Sequence, residues 1–212
     1  MKSNGIEKHR KNELKFVLKL AKDCQYEAKH TKQVTCIALK IFDDLQNLYR
    51  MGSTERFYLQ CAGILHDIGV HTEGAKGHHK ASLNIILATP ILQFNNKERL
   101  TIGSIARYHR RALPSIKHDH FKALGEGERD KVTVLASILR IADGLDYSHK
   151  RRIGNVEASF NDHKIIIDCL VRRPPIKKES KSAVNKSKLL GSFFKRELDF
   201  KFHQGEEFSG WS

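Results

Sequence analysis

Apolar residues recur at three- and four-residue spacing from about Asn12 to Ser148, with turn signals between the segments, and this period commits most of the chain to helices. The spacing predicts helices near 12–23, 28–49, 54–69, 78–88, 97–110 and 128–148. "GSTERF" offers Ser53 or Thr54 as an N-cap, and Pro90 in "ATPILQFNN" breaks the fourth of these helices. "ALPSIKHDHFKALGEGE" mixes proline, glycine, histidine and acidic residues and reads as a loop at the mouth of a site.

Past Arg152 the period changes. "NVEASF" and "HKIIIDCLV" read as a short hairpin turning at Asn161 and Asp162. "RRPPIKKESKSAVNKSK" reads as a basic, serine-rich tract, with a short helix expected over 183–195, an alternating strand at "ELDFKF" and fraying from His203 onward. The expected fold class is therefore mainly α. An all-helical core spans 1–152, a small α+β appendage of short strands and one helix spans 153–203, and a frayed tail covers 204–212.

Composition sets the outer bounds. With 212 residues, 40% of them hydrophobic, the chain is long enough to bury a core. Cys24, Cys36, Cys61 and Cys169 never form a CxxC pair and read as buried or free thiols in a reducing compartment. The N-terminal residues carry no apolar secretion signal and no run approaches a membrane span, so a soluble, cytoplasmic protein is expected, without a membrane partner. A net charge of +14 favours phosphates, nucleotides, polyphosphate or nucleic acid as partners.

Several ligand-type residues fall on the apolar faces of these helices. His30 extends the stripe through Val34, Ile37, Ile41 and Leu45. His109 follows Ile102, Ile105 and Ala106, His78 is in register with Ser82, Ile85 and Ile86, and Asp143 joins the face of Leu135, Ile138, Leu139 and Ala142. One inward histidine is most often a hydrogen-bonded core residue. An inward carboxylate needs a cation or strong donors to stay ionised, and imidazoles and carboxylates converging from several helices suit a divalent metal. In "LHDIGVHTEGAKGHH" the pair His66 and Asp67 closes a helix, where both reach one pocket and Asp67 can bind one ion or bridge two, while Gly69 lets the chain turn away.

In this order, "AKH", "LHDIG", "GHHKAS", "ARYHRRALP" and "LRIADGLDYSH" resemble the HD-domain metal-dependent phosphohydrolases. More narrowly, the span from about Leu18 to Phe202, with its closing "LLGSFFKRELDFKF", is similar to the C-terminal region of the exopolyphosphatase and guanosine pentaphosphate phosphohydrolase family. In that family the region follows an actin-like ATPase-fold domain that carries the polyphosphatase chemistry. This chain has no room for such a domain, so exopolyphosphatase activity is not carried over, and a separate ATPase-fold partner is left open.

The resemblance implies a phosphohydrolase acting on a nucleotide, a guanosine polyphosphate or polyphosphate. His30, His66, Asp67 and Asp143 match the HD signature, and His78 and His109 match the extra histidines of two-metal members, with His79 the alternative to His78. Asp67 would bridge two divalent ions, one held by His30, His66 and Asp143 and the other by His78 and His109. The ions would acidify a water for in-line attack on phosphorus, with no protein nucleophile. Mn, Fe, Co, Ni and Zn suit so many imidazoles better than Mg does.

Asp67 and Asp146 are the catalytic candidates, Asp146 as an outer acceptor or proton shuttle, with helix capping as its plain alternative. Lys76, His79, Lys80, Arg110 and Arg111 are candidates for holding the phosphorylated small-molecule substrate. His71, His118 and His120 fall in expected loops as solvated or substrate-facing groups. Nucleic acid is disfavoured because the basic tract lacks interleaved aromatics, and a homodimer is compatible with the sequence. Two other readings stand beside this one: a non-catalytic or regulatory module that binds nucleotide or polyphosphate, and a metal-free helical protein with satisfied core histidines.

Overall fold

The computed structural model describes residues 2–74 and 76–204. Its elements are α1 (Lys2–Asp23), α2 (Ala28–Asp44), α3 (Ser53–Leu65), α4 (Val70–Glu73), α5 (His78–Ala88), α6 (Asn96–Arg107), α7 (Asp119–Lys122), α8 (Glu126–Leu145), β1 (Ile153–Phe160), β2 (Lys164–Val171), α9 (Lys177–Phe194) and β3 (Glu197–Gln204). The protein is mainly helical with a small three-stranded sheet and a C-terminal helix, the fold class the spacing implies. Every residue from Val134 to Leu145 is buried, so α8 is enclosed on all sides and α2, α3, α6 and α9 pack around it.

The helix boundaries depart from the sequence expectations for identifiable reasons. α1 starts at Lys2 rather than near residue 12, because "KSNGIEKHRKN" is polar and lacks the apolar period that marks a helix. α2 stops at Asp44 rather than 49. Leu45 and Tyr49 are still buried, but Tyr49 folds back so that its hydroxyl donates to the Phe42 carbonyl at 2.8 Å. The apolar period thus runs on through a turn.

At α3 the N-cap is Gly52, not Ser53 or Thr54, and the Gly52 amide donates to Glu55 Oε2 at 2.9 Å. α3 ends at Leu65 and α6 at Arg107, short of the expected 69 and 110, which leaves His66, Asp67 and His109 in the turns beyond. α4 and α7 are short helices inside expected loops, so His71 and His120 are helical.

The largest correction concerns the basic tract. Most of it belongs to α9, which begins at Lys177, six residues before the expected start. Its buried stripe is Glu179, Ala183, Ser187 and Leu190, of which only Leu190 is large and apolar, so the start of the helix gives no hydrophobic signal. The stripe suits close packing: a Cβ added at Gly144 would lie 2.9 Å from the Ala183 Cα, so α8 and α9 touch nearly backbone to backbone.

β1 and β2 form the expected antiparallel hairpin, turned where Asn161 Oδ1 accepts the amides of His163 and Lys164, each at 2.9 Å. α9 then crosses over and β3 lies parallel to β2, giving the order β1-β2-β3. His203 and Gln204 pair with Leu170 and Val171 instead of fraying, and the rest of the expected tail, 205–212, lies outside the described residues. Val156, Ile165, Ile167 and Cys169 face the core, and Gln33 and Asp44 of α2 tie down β1 through Ile153 O at 2.8 Å and Ala158 N at 2.9 Å. All four cysteines are free, with Cys61 and Cys169 buried and Cys36 exposed. Among the described residues no helix is long and apolar enough to cross a membrane.

Candidate metal centre

Five separate segments converge on one point. His30 comes from the first turn of α2, His66 and Asp67 from the turn after α3, His78 from the first residue of α5, His109 from just past α6 and Asp143 from the last turn of α8. His30, His66 and His109 are at most 1% exposed, and His78 and Asp143 are also buried. Their ligand atoms form two sets, His30 with His66 and Asp143, and Asp67 with His78 and His109, each set lying within 4.8 Å.

Asp67 stands between the sets. Its Oδ1 lies 3.1 Å from His78 Nε2 and 3.4 Å from His109 Nε2, while its Oδ2 lies 3.4 Å from His66 Nε2 and 3.8 Å from His30 Nε2. Asp143 Oδ1 is 3.5 Å from His30 Nε2, and the Nε2 atoms of His78 and His109 are 3.4 Å apart. An ion with bonds of about 2.1 Å holds tetrahedral neighbours about 3.4 Å apart. The spacing is that of ligands around a shared centre.

The polar atoms at this point are orphaned. His30 Nε2, His66 Nε2 and Asp67 Oδ1 are buried with no hydrogen-bond partner, although buried polar atoms are as a rule paired. The opposite edges of three rings are anchored. His66 Nδ1 donates to Gly63 O and His109 Nδ1 to Ala106 O, both at 2.7 Å, and His30 Nδ1 donates to Asp146 Oδ2 at 2.9 Å. Each anchored ring turns its Nε2 inward, the atom that would offer a lone pair to a metal once any proton on it is displaced. The donor set fits divalent metal.

Charge points the same way. Burial alone would push the His30 imidazole down, yet the carboxylates of Asp143, Asp146 and Asp67 outweigh it and push His30 up to about 10. Burial raises Asp67, but His66, His78 and His109 bring it well below the usual carboxylate range. Asp143 is likewise held well down against burial, chiefly by Lys186 and His30. Buried carboxylates here are held ionised by a protonated imidazole and an ammonium, the charges a metal would displace on binding.

Two glycine contacts bring the segments together. A Cβ on Gly63 would meet Thr35 Oγ1 at 2.8 Å, which sets α3 against α2 and brings His66 beside His30. At Gly69 a Cβ would lie 2.3 Å from the His78 carbonyl oxygen, so only glycine lets α5 start against the His66–Asp67 turn. Ser82, fully buried, locks that contact by donating to His66 O at 2.8 Å and accepting from Gly69 N at 3.0 Å.

A family model described as Ppx/GppA phosphatase, domain III, matches residues 14–169. The chain belongs to the Ppx/GppA phosphatase family. No curated protein matches it.

In this Ppx/GppA family member four of the six converging residues, Asp67, His78, His109 and Asp143, line a cavity of about 470 Å³ together with Arg110, Arg111, Val70, Tyr147, His149 and Lys186. Of the expected substrate-binding residues, Arg110 and Arg111 line this cavity. Lys76 and Lys80 are exposed and do not line the cavity. His79 is buried and does not line the cavity, and burial with Arg107 nearby pushes its imidazole down to about 4. His118 and His120 pair instead with Tyr108 Oη at 2.7 Å and Ser104 Oγ at 2.9 Å.

Asp146 is 1% exposed behind His30, with its second oxygen accepting the Arg151 amide at 2.7 Å. That arrangement fixes the Nδ1 edge of His30. Asp146→Asn should weaken binding of Mn²⁺ by about 10- to 100-fold while leaving the circular dichroism spectrum unchanged. Unchanged Mn²⁺ affinity in a calorimetric titration would remove Asp146 from the centre's support.

Two residues at the cavity escaped the sequence analysis. His149 stacks on His30 with ring centroids 3.6 Å apart and an interplanar angle of 2°, and its Nδ1 meets Glu27 Oε2 at 2.6 Å. Its position in "LRIADGLDYSH" was the available signal. Lys186 lies where the basic tract overlaps the helix expected over 183–195, and nothing there marked it as facing the site.

Proposed function

We propose that the chain is an HD-type metal-dependent phosphohydrolase acting on a phosphorylated small molecule of the nucleotide, guanosine polyphosphate or polyphosphate class. The observation that carries this reading is the division of Asp67, one oxygen toward His30 and His66 and the other toward His78 and His109. His30, His66 and Asp143 would hold one ion, His78 and His109 a second, with Asp67 shared between them. Bound divalent ions would supply charge neutralisation at the phosphoryl oxygens and lower the pKa of a water.

The chain's own residues do the rest. Asp146 keeps His30 aimed inward, and the carbonyls of Gly63 and Ala106 do the same for His66 and His109. Arg110 and Arg111 flank the cavity with guanidinium groups, whose planar forks suit phosphoryl oxygens, and so orient the phosphorylated end of the substrate toward Asp67. Burial of the imidazoles excludes bulk water from their Nε2 atoms, which strengthens every charge interaction at the reacting phosphorus. The transition metals Mn, Fe, Co, Ni and Zn fit four imidazoles better than Mg does.

Metal analysis by mass spectrometry of untagged protein purified without chelator should find about two transition-metal ions per chain. Hydrolysis should then be detected, as phosphate released from nucleoside polyphosphates and short polyphosphates or as nucleoside monophosphate formed from cyclic nucleotides, and should vanish on chelation and return with Mn²⁺. Absence of metal even after soaking with all five ions would overturn the reading. A second reading is a regulatory module that binds the same ligands without turnover. It is favoured by the ion pair of Lys186 with Asp143, which already neutralises one arm of the centre. Ligand binding by metal-loaded protein with no phosphate release would select it.

A further inference from the structure

Lys186 reaches the centre from α9, outside residues 14–169, which the family model matches. Its ammonium is ion-paired to Asp143 Oδ2, while Asp143 Oδ1 faces His30. The side chain is only 18% exposed, and its helix is anchored on both sides of it. Ala183 sits against Gly144, Ser187 is 4% exposed, and Glu179, 1% exposed, accepts the Ser148 amide at 3.3 Å. α9 is therefore held against α8 with the lysine stem over the cavity.

The same ammonium lines the cavity with Arg110 and Arg111. Among the cavity-lining residues Asp67 and Asp143 are the only acids. If both carboxylates bind metal, as the proposed function requires, the charge of Asp143 is shared with an ion, so Lys186 is held more weakly at Oδ2 and faces like charge. A four-carbon stem fixed at its base cannot carry the ammonium far, and an anion entering the cavity is the counter-charge within reach.

We propose that Lys186 is a substrate-binding residue supplied by the C-terminal helix, paired with Asp143 in the metal-free protein and turned to the substrate's phosphoryl oxygens once Asp143 ligates metal. The inference rests on the metal-centre reading. Two consequences of opposite sign follow. As a competitor for Asp143 the ammonium opposes metal, and as a phosphoryl ligand it favours the anion.

The test is a calorimetric titration of the full chain, first with Mn²⁺ alone and then, on the Mn²⁺-loaded protein, with inorganic phosphate. Lys186→Met should bind Mn²⁺ about tenfold more tightly than the natural chain and phosphate about tenfold more weakly. Lys188→Met removes the same charge from an exposed position on the same helix and should leave both affinities unchanged. Lys186→Gln keeps a polar group on the stem and gives the same reading should the methionine variant unfold.

Mn²⁺ affinity in Lys186→Met equal to or below that of the natural chain overturns the inference while leaving the metal centre standing. Undiminished phosphate affinity does the same. Equal shifts in the Lys188 variant would reduce the effect to net charge and also overturn it. No Mn²⁺ uptake by the natural chain would overturn the metal reading and this inference together.

Discussion

Asp67→Ala should strip the protein of both metal ions and lower phosphate release by at least about a thousandfold, the rate equivalent of several kcal/mol of lost Lewis-acid stabilisation. Its two oxygens face the two ligand sets, lying 3.1 to 3.8 Å from four imidazole nitrogens. The fold itself should survive, because three of the four imidazoles lost from contact keep their Nδ1 edges anchored at Gly63, Ala106 and Asp146. Circular dichroism of the metal-free variant should therefore match the metal-free parent. Asp67→Asn, which keeps the shape but not the charge, should behave alike. Full metal content with full hydrolysis in either variant would remove Asp67 from the centre and the proposed function with it.

Gly69→Ala should damage both fold and site. The new methyl would lie 2.3 Å from His78 O, 2.7 Å from Ala81 Cβ and 2.7 Å from Ser82 N. Two of those three atoms are backbone, so relief requires moving the first turn of α5 rather than a flexible side chain. The overpacking penalty is about 3 kcal/mol, to which loss of the Ser82 bonds to Gly69 N and His66 O contributes. For a chain of this size that is a fall in Tm of about 6–12 °C.

His78 lies in the turn that must move, so its Nε2 should leave Asp67 while His30, His66 and Asp143 stay in place. Metal content should drop from about two ions per chain to about one. A variant with parental Tm and parental metal content would show that the contact between α5 and the His66–Asp67 turn yields without consequence, and would detach α5 from the site.

Helix periodicity predicted most of the elements because burial of one face in a 3.6-residue period is written in consecutive residues. It failed where burial and helicity part company. Leu45 and Tyr49 are buried in a turn, so α2 looked five residues longer than it is. The buried stripe of α9 opens with Glu179, Ala183 and Ser187, so that helix looked six residues shorter at its start than it is. The parallel seat of β3 beside β2 was invisible for a related reason, since alternation marks a strand but not its neighbour.

The ligand types and their inward register were determined by the sequence alone: His30, His78, His109 and Asp143 each sit on an apolar face, and His66 and Asp67 at a helix end. Preference for His78 over His79 also followed from register, and the His78 Nε2 lies 3.1 Å from Asp67. What only the tertiary structure decided is which atoms meet. His30 finds Asp146 across 116 residues, and Lys186 finds Asp143 across 43. Local periodicity orients a side chain relative to its own helix. It carries no term for the distance between helices, and that distance is set by close contacts such as Gly69 on His78 and Gly144 on Ala183.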